Sequence, residues 1–312
     1  MTNLSRRLFL QGAGGLAWAT AGLGSYAFAF EPGLRLKLTS YRFTPPHWPE
    51  GLTLKAAVLA DIHACEPWMP AARVRAIAQM TNALAPDIIF ILGDFNGSQS
   101  IVSGPVMPEE WGEALSILNA PLGVYAILGN HDWWHGALPD LPGDDAASVR
   151  RALANAGVKL LENDVVRLTK NGKSFWVAGL GDQLGGPQGR GFGRGTDDLP
   201  GTLAQIKDRN PVVLLAHEPY IFRRVPDRVS LTLCGHTHGG QINLPVVGSP
   251  LSHPRFGSVF TDLVYGHIVE KGRHLIISGG LGTSHIPVRF MCPPEVVAVT
   301  IGASPLVADS EA

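Results

Sequence analysis

The apolar run Leu122 to Leu128 breaks at once into Gly129-Asn130-His131-Asp132. The run has the length and composition of a buried strand. At its end a glycine turn carries an amide, an imidazole and a carboxylate on consecutive residues. In an open α/β sheet the carboxyl ends of strands face a site rather than a core, so these side chains are candidates for chemistry. Short polar runs after strands are also ordinary turns, in which Asn and Asp satisfy backbone groups. Repetition separates the two readings. The same event recurs at Asp61-Ile62-His63 after Leu54–Ala60 and at Gly93-Asp94 after Ile88–Leu92. It recurs again at His217 after Val212–Ala216 and at Gly235-His236-Thr237-His238 after Val229–Cys234. Five of the 11 histidines fall in these motifs, where isolated histidines would scatter.

Working outward, Pro70 to Ala85 places Val74, Ile77, Ala78, Thr81 and Leu84 at helical spacing, with Pro at the first turn and Pro86 after the end. A second short helix is expected over Glu109 to Asn119 and a third over Asp144 to Ala156, so the first three strands are joined by crossovers. Asn171-Gly172 between Val165–Thr169 and Ser174–Ala178 is a hairpin signal. Thr196 is expected to cap a helix through Arg209. Leu34 to Thr44 reads as a half-exposed strand. The chain ends in β structure: Asp262 to Val269, His274 to Ser278 and Glu295 to Ile301. The glycine-dense stretch Gly181 to Gly195 reads as a mobile loop, with a substrate-side lid as the sharper alternative. Crossovers followed by hairpins predict an α/β domain of two mixed sheets packed face to face with helices outside.

With 312 residues, 45% hydrophobic and 16% charged, the chain can bury a large core in one domain. A formal charge of -1, without clustered Lys and Arg, argues against nucleic acid held in a basic groove. Cys65, Cys234 and Cys292 are too few and too dispersed for a disulfide framework or a zinc knuckle, and read as small buried residues. At the N-terminus, Ser5-Arg6-Arg7-Leu8-Phe9-Leu10 precedes a Gly- and Ala-rich run from Gly12 to Ala29 that closes on Ala27-Phe28-Ala29. Residues 1–29 thus resemble a twin-arginine export signal, followed by one domain over 30–312. The expectation is passage through the twin-arginine translocase to the periplasm or cell envelope. Cleavage after Ala29 is expected, with retention as a membrane anchor or peripheral membrane contact the alternative.

Asp61, His63, Asp94, Asn130, His217, His236 and His238 form a ligand set without thiolates, suited to Mn, Fe, Zn or Co rather than to a structural zinc. Seven ligands exceed what one catalytic ion uses, so two divalent ions are expected. Asp94 shared between them would hold the pair roughly 3.5–4 Å apart around a bridging hydroxide that attacks phosphorus. His131 is kept off the metals as a general acid for the leaving alkoxide, with Asp132 expected to orient its ring. Arg289 is a candidate partner for a substrate phosphate.

In that order, Asp61-x-His63, Gly93-Asp94, Gly129-Asn130-His131-Asp132, His217 and Gly235-His236-Thr237-His238 resemble the signature of the calcineurin-like metallophosphoesterases. The resemblance runs over about 52–301. It implies a four-layer α-β-β-α sandwich, with one ion on Asp61, His63, Asp94 and His238 and the other on Asp94, Asn130, His217 and His236. Gly239-Gly240-Gln241-Ile242 and Pro293-Pro294-Glu295 are similar to a bacterial, envelope-associated branch that often carries twin-arginine signals. Many relatives have an acid where this chain has Gly97, and purple acid phosphatases have a metal-binding Tyr there. Gly97 and His63 therefore argue against a ferric-tyrosinate enzyme. The implied activity is hydrolysis of a phosphodiester or pyrophosphate bond in a cell-envelope lipid or related small phosphorylated substrate. The alternatives are a phosphomonoesterase on the same site and a non-catalytic metal-binding envelope protein.

Overall fold

The computed structural model describes residues 18–133, 146–187, 189–190, 195–250 and 262–303. Two six-stranded mixed sheets lie face to face. The first is built from β1 (Lys37–Phe43), β2 (Leu54–Leu59), β3 (Ile88–Ile91), β4 (Val124–Ala126), β5 (Lys159–Leu160) and, from the end of the chain, Glu295–Ile301. The second takes β6 (Asp164–Lys170), β7 (Lys173–Gly179), β8 (Val212–Leu215), β9 (Val229–Cys234), β10 (Gly266–Glu270) and β11 (Arg273–Ile277). With Glu295–Ile301 as β12, the orders are β1-β12-β2-β3-β4-β5 and β10-β11-β9-β8-β7-β6. In the first sheet β2, β3 and β4 are parallel neighbours; in the second, β7, β8, β9 and β11 are.

Burial on both faces explains why these strands read as unbroken apolar runs. Along β2 and β3, Ala57, Leu59, Ile89 and Ile91 point to an outer core under helices α1 (Ala71–Ala83), α2 (Pro108–Leu115) and α4 (Ala147–Asn155). Their alternates Leu54, Val58, Ile88 and Phe90 point into the core between the sheets, against Val177, Val213 and Leu233. Beneath the second sheet, a third core is covered by the short helix α5 (Leu199–Ala204) and the 3-10 turn Pro219–Arg224. The sandwich therefore has its four layers, with a thin one on this side. The hairpin at Asn171-Gly172 forms as expected, both residues having positive φ.

Two sequence expectations change. The helix expected from Thr196 to Arg209 is confined to Leu199–Ala204 and is capped by Asp198, whose carboxylate accepts from Gly201 N at 2.9 Å. Pro200 disfavours a helical Leu199 as an interior residue and fixes the start there. Thr196 instead donates its backbone N–H to Asp182 O at 2.7 Å. The base of the glycine-dense stretch, 181–186, is buried and tethered rather than loose. Gly181 N donates to Asn163 Oδ1 at 3.0 Å, and Asp182 Oδ1 accepts from Leu184 N at 2.9 Å. Glycines let this backbone approach its neighbours closely, so it packs with Leu184 as its one buried apolar side chain. The part of the expected lid between 187 and 195 falls largely outside the described residues.

The N-terminal residues 18–34 are helical, with a π-helical turn at Tyr26–Phe30. Among the described residues no helix is long and apolar enough to cross a membrane.

Candidate metal centre and cleft

The five motifs meet at the carboxyl ends of parallel strands from both sheets. Asp61 and His63 follow β2, Asp94 follows β3, and the one-turn helix α3 (Asn130–Trp133) follows β4. His217 follows β8, and His236 and His238 follow β9. To aim inward, the backbone turns left-handed at Asp61, His63, Asp94, His236 and His238, with φ between +47° and +70°. L residues rarely adopt this conformation, and its concentration on functional side chains is strain held by the surrounding fold. Close approach also needs glycine: a β-carbon on Gly129 would run into the Asp94 carboxylate and lie 2.7 Å from the His217 ring.

Asp94 sits at the middle of the cluster. Its Oδ2 is 3.3 Å from His63 Nε2 and 3.2 Å from His217 Nε2. Asp61 Oδ1 lies 3.8 Å from His238 Nε2 and 4.0 Å from His217 Nε2. Asn130 Oδ1 is 2.9 Å from His236 Nδ1. His63 Nε2 and His238 Nε2 stand 3.1 Å apart. Two of these imidazoles are fixed by the ring nitrogen that faces away. Asn96 O lies 3.0 Å from His63 Nδ1, and Leu92 O lies 2.6 Å from His217 Nδ1. An N–H at each Nδ1 leaves the Nε2 lone pair turned inward, the arrangement that metal-binding histidines share.

The donor set fits divalent cations. Among the described residues, Asp61 Oδ2 and His217 Nε2 are buried with no hydrogen-bond partner, a costly arrangement unless a cation accepts their lone pairs. Titration points the same way. Burial opposes ionisation of Asp94, yet His217, His131 and His63 around it hold its carboxyl well below the usual range. Burial disfavours charge on His63 and His217, but Asp94 raises both, His217 strongly. Protons therefore stand where cations belong. Burial keeps the other rings neutral, His236 at about 3 and His238 well below its ordinary value.

His131 lines the cleft. Its backbone N–H donates to Asp94 Oδ1 at 2.8 Å, and its ring stands 5.1 Å from that of His63. Burial lowers its pKa to about 3, so the ring is neutral at rest, not the imidazolium expected from sequence. Asp132 does not do what was expected of it. Its carboxylate is engaged by backbone amides, accepting from Gly129 N and Asp94 N at 2.9 Å, from Phe95 N at 2.8 Å and from Asn96 N at 3.3 Å. It clamps the Gly93-Asp94 and Gly129-Asn130 loops together.

Arg289 also departs from expectation. It is fully buried and donates to the carbonyls of Gly279, Gly280, Gly282 and Cys292, with Nη2 3.4 Å from His238 Nδ1. Its guanidinium supports the loop behind His238 and does not reach the cleft. Backbone carbonyls and His238 Nδ1 engage the guanidinium that was a candidate partner for a substrate phosphate.

Sequence reasoning missed three groups. Glu218 is fully buried beside His217 and His236 as a further candidate ligand, and the acid directly after His217 was the available signal. Asp182, whose carboxyl burial and then Glu218 push well above the usual range, sits behind it. His285 lines the cleft 5.8 Å from the His131 ring and carried no motif to announce it. The cleft itself encloses about 430 Å³ and is lined by metal-competent residues together with Ile242, Pro250 and Ile286.

A sequence profile described as calcineurin-like phosphoesterase matches residues 54–240, which contain all five motifs. The chain belongs to this family. An uncharacterized metallophosphoesterase, YkuE of Bacillus subtilis (strain 168), is 31% identical across 96% of this chain and 99% of that protein. The phosphodiesterase YaeI of Escherichia coli (strain K12) is 25% identical over 96% of this chain and 99% of its own length. The UDP-2,3-diacylglucosamine pyrophosphatase LpxG of Chlamydia muridarum (strain MoPn / Nigg) is 26% identical over 87% and 90%. As a calcineurin-like phosphoesterase, the chain is a metal-dependent phosphoric ester hydrolase, and the four-layer α/β sandwich is that of the family.

Proposed function

We propose that this calcineurin-like phosphoesterase holds two divalent ions and cleaves a phosphodiester or pyrophosphate bond, probing a lipid-linked phosphate of the cell envelope as substrate. The observation that carries the dinuclear reading is Asp94 Oδ2, placed almost equally between His63 and His217 with the remaining donors divided on either side. Asp61, His63, Asp94 and His238 would hold one ion, and Asp94, Asn130, His217 and His236 the other. When bound, such ions neutralise phosphoryl charge and lower the pKa of water to about 7.

The protein's own groups do the rest. Asp132 presets the distance between the Asp94 and Asn130 loops by gathering four amides, so little reorganisation accompanies substrate binding. Ile242 and Ile286 give the cleft an apolar lining beside the metal-competent residues. His131, neutral in the free protein, takes a proton from solvent as an anionic phosphate enters and raises the ring's pKa, and passes it to the leaving oxygen, an alkoxide from a diester or a phosphate from a pyrophosphate. Diesters and pyrophosphates are favoured because relatives similar over nearly their whole length bear those activities in their names. Export through the twin-arginine translocase to the periplasm or envelope fits Arg6-Arg7 and the uncharged run after them.

The test is hydrolysis of bis(p-nitrophenyl) phosphate against p-nitrophenyl phosphate by protein stripped and reloaded with Mn, Fe, Zn or Co, with metal content measured in parallel. The expected result is metal-dependent preference for the diester at two ions per chain. Monoester preference, or full activity at one ion, overturns the reading.

A further inference from the structure

The helix over 18–34 is largely apolar, with its one charged residue, Glu31, buried, and is mostly uncovered. Trp18 is 82% exposed, Leu23 57%, Phe30 49% and Leu34 77%. A helix of this kind is stable only when something apolar surrounds it. Its second half is nevertheless fastened to the catalytic domain. Ala27 O accepts from Arg289 N at 2.9 Å, and the Tyr26 ring meets Phe290 edge-on at 6.1 Å. Glu31 is fully buried, its carboxylate accepting from Met291 N at 3.0 Å and from Cys292 N. Cleavage after Ala29 would remove Tyr26 and Ala27 from this joint.

A second apolar feature springs from the same segment. Ile242 bridges to Phe290, and Asn243 N donates to Phe290 O at 2.8 Å. The chain then makes the turn Leu244-Pro245-Val246-Val247-Gly248, closed by reciprocal backbone bonds of 2.9 and 2.8 Å between Leu244 and Gly248. Val246 at the tip is wholly solvent-exposed and has φ +68°, a conformation in which a β-branched residue is an outlier. Among the described residues nothing calls for valine at this exposed tip, whereas glycine or asparagine would relieve the strain. Ile242, at the root of this turn, and Ile286 both line the cleft. The joint at Phe290 thus links the exposed helix, the strained apolar turn and the mouth of the cleft.

The chemistry of the occupant follows from charge. From Leu8 to Phe30 no residue is charged, a stretch of the roughly 20 residues that cross a bilayer, and Arg6-Arg7 precede it. Between His236 and Pro250 there is again no Asp, Glu, Lys or Arg. A soluble protein partner would be met by a polar rim, whereas a rim segment without Asp, Glu, Lys or Arg, joined to a helix whose one charged residue, Glu31, is buried and preceded in sequence by Arg6-Arg7, suits the lipid surface. We infer that the N-terminal helix stays attached to the folded enzyme and, together with the Leu244–Gly248 turn, seats the mouth of the cleft on a lipid bilayer. This rests on the proposed function, of which it names the route: a lipid phosphate reaches the site from the membrane.

The full chain carrying Val246→Cys provides the test, since Cys65, Cys234 and Cys292 are all buried. An environment-sensitive fluorophore is attached at 246. In a second protein it is attached through Lys173→Cys, at the start of β7 and thus the opposite end of the sheet from the site. Each is mixed with vesicles of phosphatidylethanolamine and phosphatidylglycerol, with and without brominated acyl chains. The expected result is a blue shift and bromine quenching at 246 and none at 173. Adding Val247→Asp to the labelled protein should reduce the quenching at least about threefold. Equal, water-like emission at both positions overturns the inference, whether or not the protein floats with the vesicles. Hydrolysis of bis(p-nitrophenyl) phosphate by the same labelled protein reads the proposed function separately. Turnover without quenching breaks the docking alone, and quenching without turnover breaks the phosphodiesterase reading alone.

Discussion

The centre of the site and the rim of its cleft are built on opposite principles. At the centre, polar atoms are buried, tethered and turned inward on a strained backbone: Asp61, His63 and His217 are at most 1% exposed. At the rim, apolar side chains stand in water: Ile286 is 43% exposed and Leu244, in the adjoining turn, 42%. The first arrangement is costly unless cations arrive, and the second is costly unless an apolar phase does. Unsatisfied surface of either kind states what is missing from the isolated chain, and the two kinds call for different partners.

Replacing His131 with Ala strikes the centre hardest without emptying it. Hydrolysis of the diester should fall by about 10²- to 10⁴-fold, with metal content per chain unchanged. Equal losses of metal and activity would move His131 into the ligand set and blur the line between ligand and acid. Asp132→Ala should act through the backbone instead. Four amides lose their acceptor, so unfolding in urea should show a loss on the order of 1–3 kcal/mol or more, with activity falling alongside. Unchanged stability would mean that water substitutes for the clamp. Arg289→Gln, behind His238, should weaken metal affinity by roughly 10- to 100-fold while leaving the diester-to-monoester preference as it was. A change in that preference would return Arg289 to the substrate.

pH separates the centre from the rest of the fold. His63 and His217 have pKa values raised in the folded chain, so their contribution to stability is complete below about 6.5, the unfolded value, and is lost as pH rises through the folded values. Metal-free protein should therefore lose Tm on going from pH 6.5 to 9, and added Mn should restore it, with a larger increment at the higher pH because the ion no longer competes with protons. A Tm increment independent of pH would sink this account. The smallest effect belongs to the rim: Leu244→Ser should leave hydrolysis of the soluble diester within about twofold.

The centre was legible because its chemistry recurs in register. Five strands each end in metal-competent residues, and the apolar runs before them are continuous because both faces are buried, as Leu59 and Val58 on opposite faces of β2 illustrate. Roles within the centre were less legible. Asp132 stands next to His131 in sequence, but in a one-turn helix adjacent side chains diverge, and its carboxylate found amides from another loop. Arg289 and Glu218 depend on which carbonyls and imidazoles the fold brings near, and no local spacing encodes that. The rim was illegible for a different reason: Leu244, Val246 and Val247 have a strand's composition, and only the closed turn and their exposure reveal that they face outward.

The left-handed backbone at Asp61, His63, Asp94, His236 and His238 also restricts how this centre can evolve. A substitution there is screened twice, once for its ability to bind and once for its tolerance of positive φ. Asparagine passes both screens more readily than glutamate, and threonine or valine fails the second whatever its chemistry. Drift at these positions is therefore channelled toward a few neighbouring residue types, and a lineage that changes metal is more readily served by exchanging positions with ordinary φ, such as Asn130 and His217.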